Sequence, residues 1–378
     1  MTTDAEIRRA ETPDNLEVFP EPDAYLDWQR DEGVKVIVDY AFEDLARIEL
    51  GDWERKGGRG AIINIPNPLL LNDSHIVEIS PGGSSEPEHH LYEEMVYIVS
   101  GRGATSVWLE GGAEQTFEWH AGSLFSIPLN AWYRHFNASG TEPARYLGVT
   151  NAPPVLRWWR NREFVFNNDF RFTDRFGGDG DYFSGSGTLY QRRKWASNFI
   201  PNAPDMQLYD YLTRGAGGVN ASLEMAGNVT KAHISEFPVG TYKKAHRHGP
   251  GAHLVILSGE GFSLLWNGDE QSDLRKADWK TGGMVIVPAD RTFHQHFNGG
   301  PTRARYLALR PGTGLVNGPR SSDLSVNEGG GQIEYEDESP RVHEIFEAEL
   351  AQNGAPCRMK AFIPWCTGEV GPTRARDT

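Results

Sequence analysis

The chain is short of cysteine, of long apolar runs and of basic clusters, and each shortage excludes something. Only two cysteines occur in 378 residues, Cys357 and Cys366. They build no disulfide framework and match no zinc-ligand spacing, so a reducing, cytoplasmic setting is expected. No apolar stretch approaches the about 20 residues that cross a bilayer. Met1–Asn15 is acidic and polar, without the apolar centre of a secretory signal. A soluble protein with no membrane partner is expected. The formal net charge is −15, with no local basic patch to offset it. Phosphate backbones are repelled, which argues against a nucleic-acid partner.

Glycine and proline are plentiful, at 42 and 23 residues, while hydrophobic and charged residues stand at 38% and 24%. These proportions suit a turn-rich, folded soluble protein, and the length suits two domains with appendages.

The chain carries one unit twice. Met95–Gly103, Gly122–Pro128, His135–Asn137 and Ala144–Leu147 recur as Leu254–Gly261, Gly282–Pro288, His296–Asn298 and Ala304–Leu307. Gly101 to Gly259 is an offset of 158 and Tyr146 to Tyr306 one of 160, so register holds across all four blocks. Short β-branched or aromatic runs such as Val96–Val99 and Met284–Val287, bounded by Gly, Pro or Asn, read as strands buried on both faces. The expected fold class is mainly all-β: two tandem double-sheet jelly-roll barrels with short flanking helices. The expected boundaries are an N-terminal extension at 1–60, a first barrel at 61–155, a connection at 156–225, a second barrel at 226–315 and a C-terminal extension at 316–378. Glu21–Gly33 and Ser339–Gly354 read as helices, the latter with an apolar stripe of Val342, Ile345, Phe346 and Leu350 between Pro340 and Gly354. Asn161–Gly187 reads as a connecting loop. The pairs Trp132-Tyr133 and Trp158-Trp159 read as core or as surface lining.

Histidine concentrates in the second unit. His246 and His248 are two apart on an expected strand and share a face; His253 follows a Gly-Pro-Gly turn, and His294 and His296 lie about forty residues on. Imidazoles converging from separate strands are suited to Fe, Mn, Ni, Cu or Zn.

This arrangement resembles the two motifs of the cupin superfamily. The first is glycine, five residues, His-x-His, three or four residues, usually glutamate, then a glycine turn. The second is glycine, five residues, proline, then a histidine four residues before an asparagine. Gly240, His246, His248 and Gly259 match the first, and Gly282, Pro288, His294 and Asn298 the second. The resemblance covers roughly residues 75–150 and 230–310. It implies that His246, His248 and His294 are metal ligands. His253, standing where most cupins place glutamate, is implied as a fourth ligand or as a hydrogen-bonding neighbour of one. His296 is the candidate substrate-facing acid, base or donor, with a supporting role as the alternative. The equivalent positions in the first unit are Glu88, His90, Glu94 and Tyr133. Two imidazoles are lost there, which reads as retirement to a structural role, or as a site for a hard divalent ion with help from His89 or His135.

The string Phe293-His294-Gln295-His296-Phe297-Asn298 is similar to that of bicupin ring-cleaving dioxygenases of the gentisate and salicylate type. That resemblance implies an Fe(II)-dependent dioxygenase whose partners are dioxygen and a small aromatic hydroxylated or carboxylated substrate, in a homo-oligomer. Leu254 stands where that family places the arginine that grips a substrate carboxylate, and Arg291, Arg303, Arg305 and Lys243 are the candidates to replace it. A redox-neutral isomerase or decarboxylase of a small hydroxy or oxo acid would use the same ligands, and a non-catalytic ligand-binding cupin is the third reading.

Overall fold

The computed structural model describes residues 22–66, 70–249, 251–268, 271, 273–289, 292–311 and 323–368. The architecture is mainly β, as two tandem jelly-roll barrels, each a large sheet facing a three-stranded one. In the first barrel Ala144–Thr150 lies between Asp73–Ile79 and Glu94–Ser100, antiparallel to both. In the second, Ala304–Arg310 lies the same way between Lys231–Phe237 and Ala252–Ser258. The facing sheets are Trp132–Asn137, Arg102–Trp108 and Gln115–His120 in one barrel and Arg275–Lys280, Glu260–Trp266 and Phe293–Phe297 in the other. Among the described residues no helix is long and apolar enough to cross a membrane.

Unbroken apolar runs form these strands because both of their faces are covered. Along Ala252–Ser258, Leu254 and Ile256 point into the second barrel. Val255 and Leu257 point the other way, into a core continuous with the first barrel, together with Leu307, Leu309 and Ile286. Each such side chain withdrawn from water contributes at most about 1.5–3 kcal/mol, and the shared core welds the barrels together.

The barrels also exchange arms. Ala41–Phe42, ahead of the first barrel, pairs with Met284 and Val285 of the second. Phe199–Ile200, ahead of the second, pairs with Leu124 and Phe125 of the first. The duplicated unit is therefore longer than the sequence blocks indicate. Residues 1–60, expected to add only a helix, supply the strands Lys35–Val38, Ala41–Phe42 and Gly51–Trp53.

The flanking helices obey local chemistry. Helix α1 (Ala24–Glu32) starts where the Asp23 carboxylate accepts from the amides of Tyr25 and Leu26, and stops at Gly33 in the left-handed conformation. Glu21, the first residue of the expected helix, lies outside the described residues. Helices α2 (Ala152–Trp159) and α3 (Arg162–Phe166) follow the first barrel, so the expected loop 161–187 begins as a helix. Trp158 and Trp159 are exposed at the end of α2, whereas Tyr133 is wholly buried. Helix α4 (Pro340–Asn353) buries Val342, Phe346 and Leu350 against Phe293 and Phe297, on the outer face of the second barrel's smaller sheet.

Even the irregularities repeat. The register slips beside Val99 and again beside Leu257, and each bulge leads to a glycine at positive φ, Gly101 at 86° and Gly259 at 85°. A Cβ on Gly259 would stand 2.8 Å from Ala304 Cα, nearer than real Cβ atoms come. Gly259→Ala should cost about 1–3 kcal/mol in urea unfolding; an unchanged midpoint would show that this turn relaxes freely.

Candidate metal centre

The site begins with an antiparallel backbone pair. His246 N–H donates to His294 O at 3.0 Å and His294 N–H to His246 O at 2.9 Å. Residues directly opposite on paired strands project to one face, so the two rings meet with centroids 4.2 Å apart. His248, two residues on, brings its ring to 4.7 Å from His294. One nitrogen from each of His246, His248 and His294 lies within 4.8 Å of the other two. The structure thus brings together three of the four histidines assigned to the metal by resemblance.

The nitrogens left over fit ligation. His246 Nδ1 lies 3.2 Å from Lys244 O and His294 Nδ1 3.3 Å from Thr292 O. A carbonyl can only accept, so each Nδ1 carries the proton and each Nε2 keeps its lone pair for the cluster. His248 Nδ1 is buried without a protein partner. Burial, with Arg214 and the neighbouring imidazoles adding to it, holds His246 and His248 well below the ordinary histidine range. Burial likewise takes His294 down to about 4. All three are neutral near pH 7, the form that binds a metal, and the set suits a divalent transition ion.

His253 stands apart from this cluster. Its neighbours in register, Met284–Val287 and Ala304–Arg310, place it on the same face as Val255 and Leu257, between the barrels. There its Nδ1 meets Asn72 Nδ2 at 2.8 Å. The residue opposite Val287, as Glu94 is opposite Ile127, is Ala252. A frame one residue out turns a strand side chain to the other face, and the position of the customary glutamate is held by alanine.

His296 faces the interior, its ring 5.5 Å from that of His294. Trp279 Nε1–H donates to Ser263 Oγ at 3.0 Å, and Ser263 Oγ lies 2.8 Å from His296 Nδ1. His296 Nδ1 is the one acceptor that the buried Ser263 hydroxyl meets among the described residues, so its proton goes there and the ring proton stays on Nε2. The first barrel repeats this chain as Trp119, Thr105 and His135, at 2.9 and 2.7 Å.

Motif spacing gave no sign of the surroundings. His233, on Lys231–Phe237, faces inward beside Tyr306, and Arg214 lies outside both motifs. The charged side chains bearing most on these rings are all cationic: Arg193, Arg214, Arg310 and Lys243. Lys243 donates to Tyr306 OH at 3.0 Å. Of the other candidates for a carboxylate grip, Arg303 and Arg305 are bound to Glu236 on the outer face, and Arg291 lies outside the described residues. Leu254 is apolar interior.

The first barrel solves the same geometry with different charges. Glu88 faces Tyr133 as His246 faces His294. Tyr133 OH lies 2.8 Å from carboxylate oxygens of both Glu88 and Glu94, and His90 Nε2 is 3.2 Å from Glu94. His75, the counterpart of His233, reaches Glu94 at 3.1 Å. The Lys56 ammonium, buried from a short 3₁₀ turn, pairs with Glu88. Burial alone would weaken its charge, but Glu88 and Glu94 outweigh burial and hold Lys56 above the usual lysine value. Both carboxyls, burial notwithstanding, are held below theirs. An internal ammonium thus balances the carboxylates. His89 turns instead to Trp132 and Asn130, at a surface cleft of about 470 Å³ over this barrel.

Comparison with known proteins gives a family match within the first barrel. Residues 75–150 match the family model described as Cupin domain. Over 81 residues the chain is 35% identical to a probable oxalate decarboxylase of Arthroderma benhamiae. That match takes in 21% of this chain and 20% of the relative, so the chain spans about a fifth of the curated relative it matches. Bacillus subtilis oxalate decarboxylase, a protein with Mn(II) centres, is similar in structure with a TM-score of 0.45 at 15% identity, over 77% of this chain and 86% of that one. Vicilin from hazelnut, Corylus avellana, gives 0.46 at 12%, over 72% and 85%. The curated relative, a probable oxalate decarboxylase, is of another reaction class than the gentisate- and salicylate-type dioxygenases that the histidine string resembles.

In the first barrel, Lys56→Met leaves the buried Glu88 carboxylate without its ammonium partner and should cost about 3–5 kcal/mol. Adding Glu88→Gln should recover part of the loss, and a fully stable Lys56→Met would refute the charge-balance account. Behind the second barrel's wall, Gln295 donates at 2.6 Å to Glu338, whose carboxyl burial pushes up to about 7 against hydrogen bonds from Tyr242 and Gln295. The unfolded chain ionises this group near 4.5, so its contribution is full below that pH and is lost as pH rises through about 7. The thermal midpoint of the parent relative to Glu338→Gln should fall across this window; a constant difference would count against a neutral buried carboxyl.

Proposed function

We propose that the second barrel is a mononuclear divalent metal centre that decarboxylates a small oxo or hydroxy acid without net oxidation. The observation that carries this reading is three neutral imidazoles gathered among cations. His246, His248 and His294 would hold the ion, Fe(II) being among the metals that imidazole suits and Mn(II) the alternative. When bound, such an ion supplies a Lewis acid for a carboxylate or carbonyl oxygen. Neutral ligands cancel none of its charge, and the buried Lys243 ammonium adds to it, so the interior selects anions. The likeness to a probable oxalate decarboxylase supports the reaction class.

Loss of carbon dioxide leaves an electron pair on the carbon that stays behind, and that carbon must take a proton. His296 Nε2–H is held for such a transfer, because Ser263 fixes the opposite nitrogen as an acceptor. Burial, with His294 and Lys243 adding to it, keeps this ring neutral, so the proton it gives is replaced from solvent or from the next substrate.

The test supplies Mn(II)- or Fe(II)-loaded protein with short oxo, hydroxy and dicarboxylic acids while following carbon dioxide and dissolved oxygen together. Carbon dioxide release without net oxygen uptake is expected. His296→Ala should retain the metal and lose about 10²–10⁴-fold in turnover, whereas His246→Ala with His248→Ala should lose the barrel's metal as well. Stoichiometric oxygen uptake on aromatic substrates would establish a dioxygenase instead, and binding without turnover across the panel a ligand-binding barrel.

A further inference from the structure

The two cysteines, whose spacing matches no zinc pattern, meet two other ligand-capable side chains. His343 and Glu347 lie one turn apart on α4, with His343 Nε2 3.1 Å from Glu347 Oε1. Cys357 and Cys366 follow the helix; their Sγ atoms are 3.6 Å apart, and Cys366 Sγ is 3.9 Å from Glu347 Oε1. One ligand atom from each of the four lies within 4.8 Å of all the others. Both thiols and the imidazole are buried.

Distances separate the arrangements open to such a group. A disulfide needs sulfurs about 2.05 Å apart, far inside the observed separation. A hydrogen-bonded cluster explains His343 and Glu347 but leaves the thiols, weak donors and weak acceptors, largely to each other. A tetrahedral zinc ion, with Zn–S about 2.3 Å and Zn–N or Zn–O about 2.0–2.1 Å, requires edges of about 3.8 Å for S–S, about 3.3 Å for N–O and about 3.6 Å for S–O. The three measured edges, 3.6, 3.1 and 3.9 Å, each agree to within about 0.3 Å with those values. Two thiolates and an imidazole favour zinc over magnesium, calcium or manganese.

We propose that His343, Glu347, Cys357 and Cys366 form a closed four-ligand zinc site that fastens the C-terminal segment to α4 and, through α4, to the wall of the second barrel. The neighbours of the imidazole already orient it for this. Tyr242 donates its hydroxyl proton to Glu338 and lies 3.2 Å from His343 Nδ1. The phenol oxygen accepts from Nδ1–H, leaving the Nε2 lone pair turned to the two sulfurs and the carboxylate. Four protein ligands leave no position for substrate, so the role is structural. The site shares no residue with the histidine cluster, and its fate is independent of the activity proposed above.

Three measurements test it. Protein purified without chelators should contain about one zinc per chain that Cys357→Ser with Cys366→Ser removes and that His246→Ala with His248→Ala retains. Cobalt(II)-reconstituted His246→Ala/His248→Ala protein should show intense sulfur-to-cobalt charge-transfer absorption in the near ultraviolet. After metal removal, amide exchange should rise in residues 354–368. Equal zinc in the cysteine variant, or an intact mass showing a Cys357–Cys366 disulfide in unreduced protein, overturns the proposal. So does absence of the charge-transfer band from cobalt-loaded parent protein, a reading that requires no cysteine variant to fold.

Discussion

Two backbone hydrogen bonds between His246 and His294 set everything else about the candidate centre. They make the two residues directly opposite, and direct opposition is what sends both imidazoles to one face. Alternation does the rest. His248 and His296 extend the inner face by two residues on either strand, while Phe293, Gln295 and Phe297 turn outward to Glu338 and helix α4. The other edge of the histidine segment is covered too, because Arg247 N–H donates to Gly331 O and Ile333 N–H to Ala245 O. The wall is one strand thick, with the imidazoles on its inner side and a buried polar network on its outer side.

The barrels answer the same geometric question with opposite electrostatics. Where the second gathers neutral rings among Arg214, Arg310 and Lys243, the first gathers Glu88 and Glu94 around Lys56. Lys56 and Arg214 occupy matching places, each the last residue of a 3₁₀ turn stopped by a glycine, Gly57 or Gly215. In one barrel that cation reaches the carboxylates. In the other it is held at 2.7 Å by Asp323 and at 2.9 Å by Gln332, and acts on the histidines as a neighbouring charge. Duplication kept the frame and left each interior to find its own balance.

Much of this was legible along the chain, for reasons that mark where legibility ends. The repeat could be read because its glycines, prolines and asparagines punctuate turns, and turns are local. His246, His248 and His294 could be read because a period of two is a local rule. His253 obeys that rule as well, but with Ala252 rather than His253 in frame with Glu94, alternation carries it to the seam between the barrels. His233, Arg214 and Arg310 join the interior from strands and turns remote in sequence, and no spacing announces a contact made only on folding. The same holds for Cys357 and Cys366, whose partners come from a helix face instead of a second cysteine pair.

The exchanged arms, Ala41–Phe42 and Phe199–Ile200, work as a clasp. Each half completes the edge of the other, so neither sheet can peel open without exposing the backbone of its neighbour, and a break in the connecting segment would not by itself release two pieces. Such reciprocity is the same exchange that two separate copies of a chain make across a symmetric interface. The single chain carries that interface inside itself, so its two interiors can differ, with carboxylates in one and imidazoles in the other.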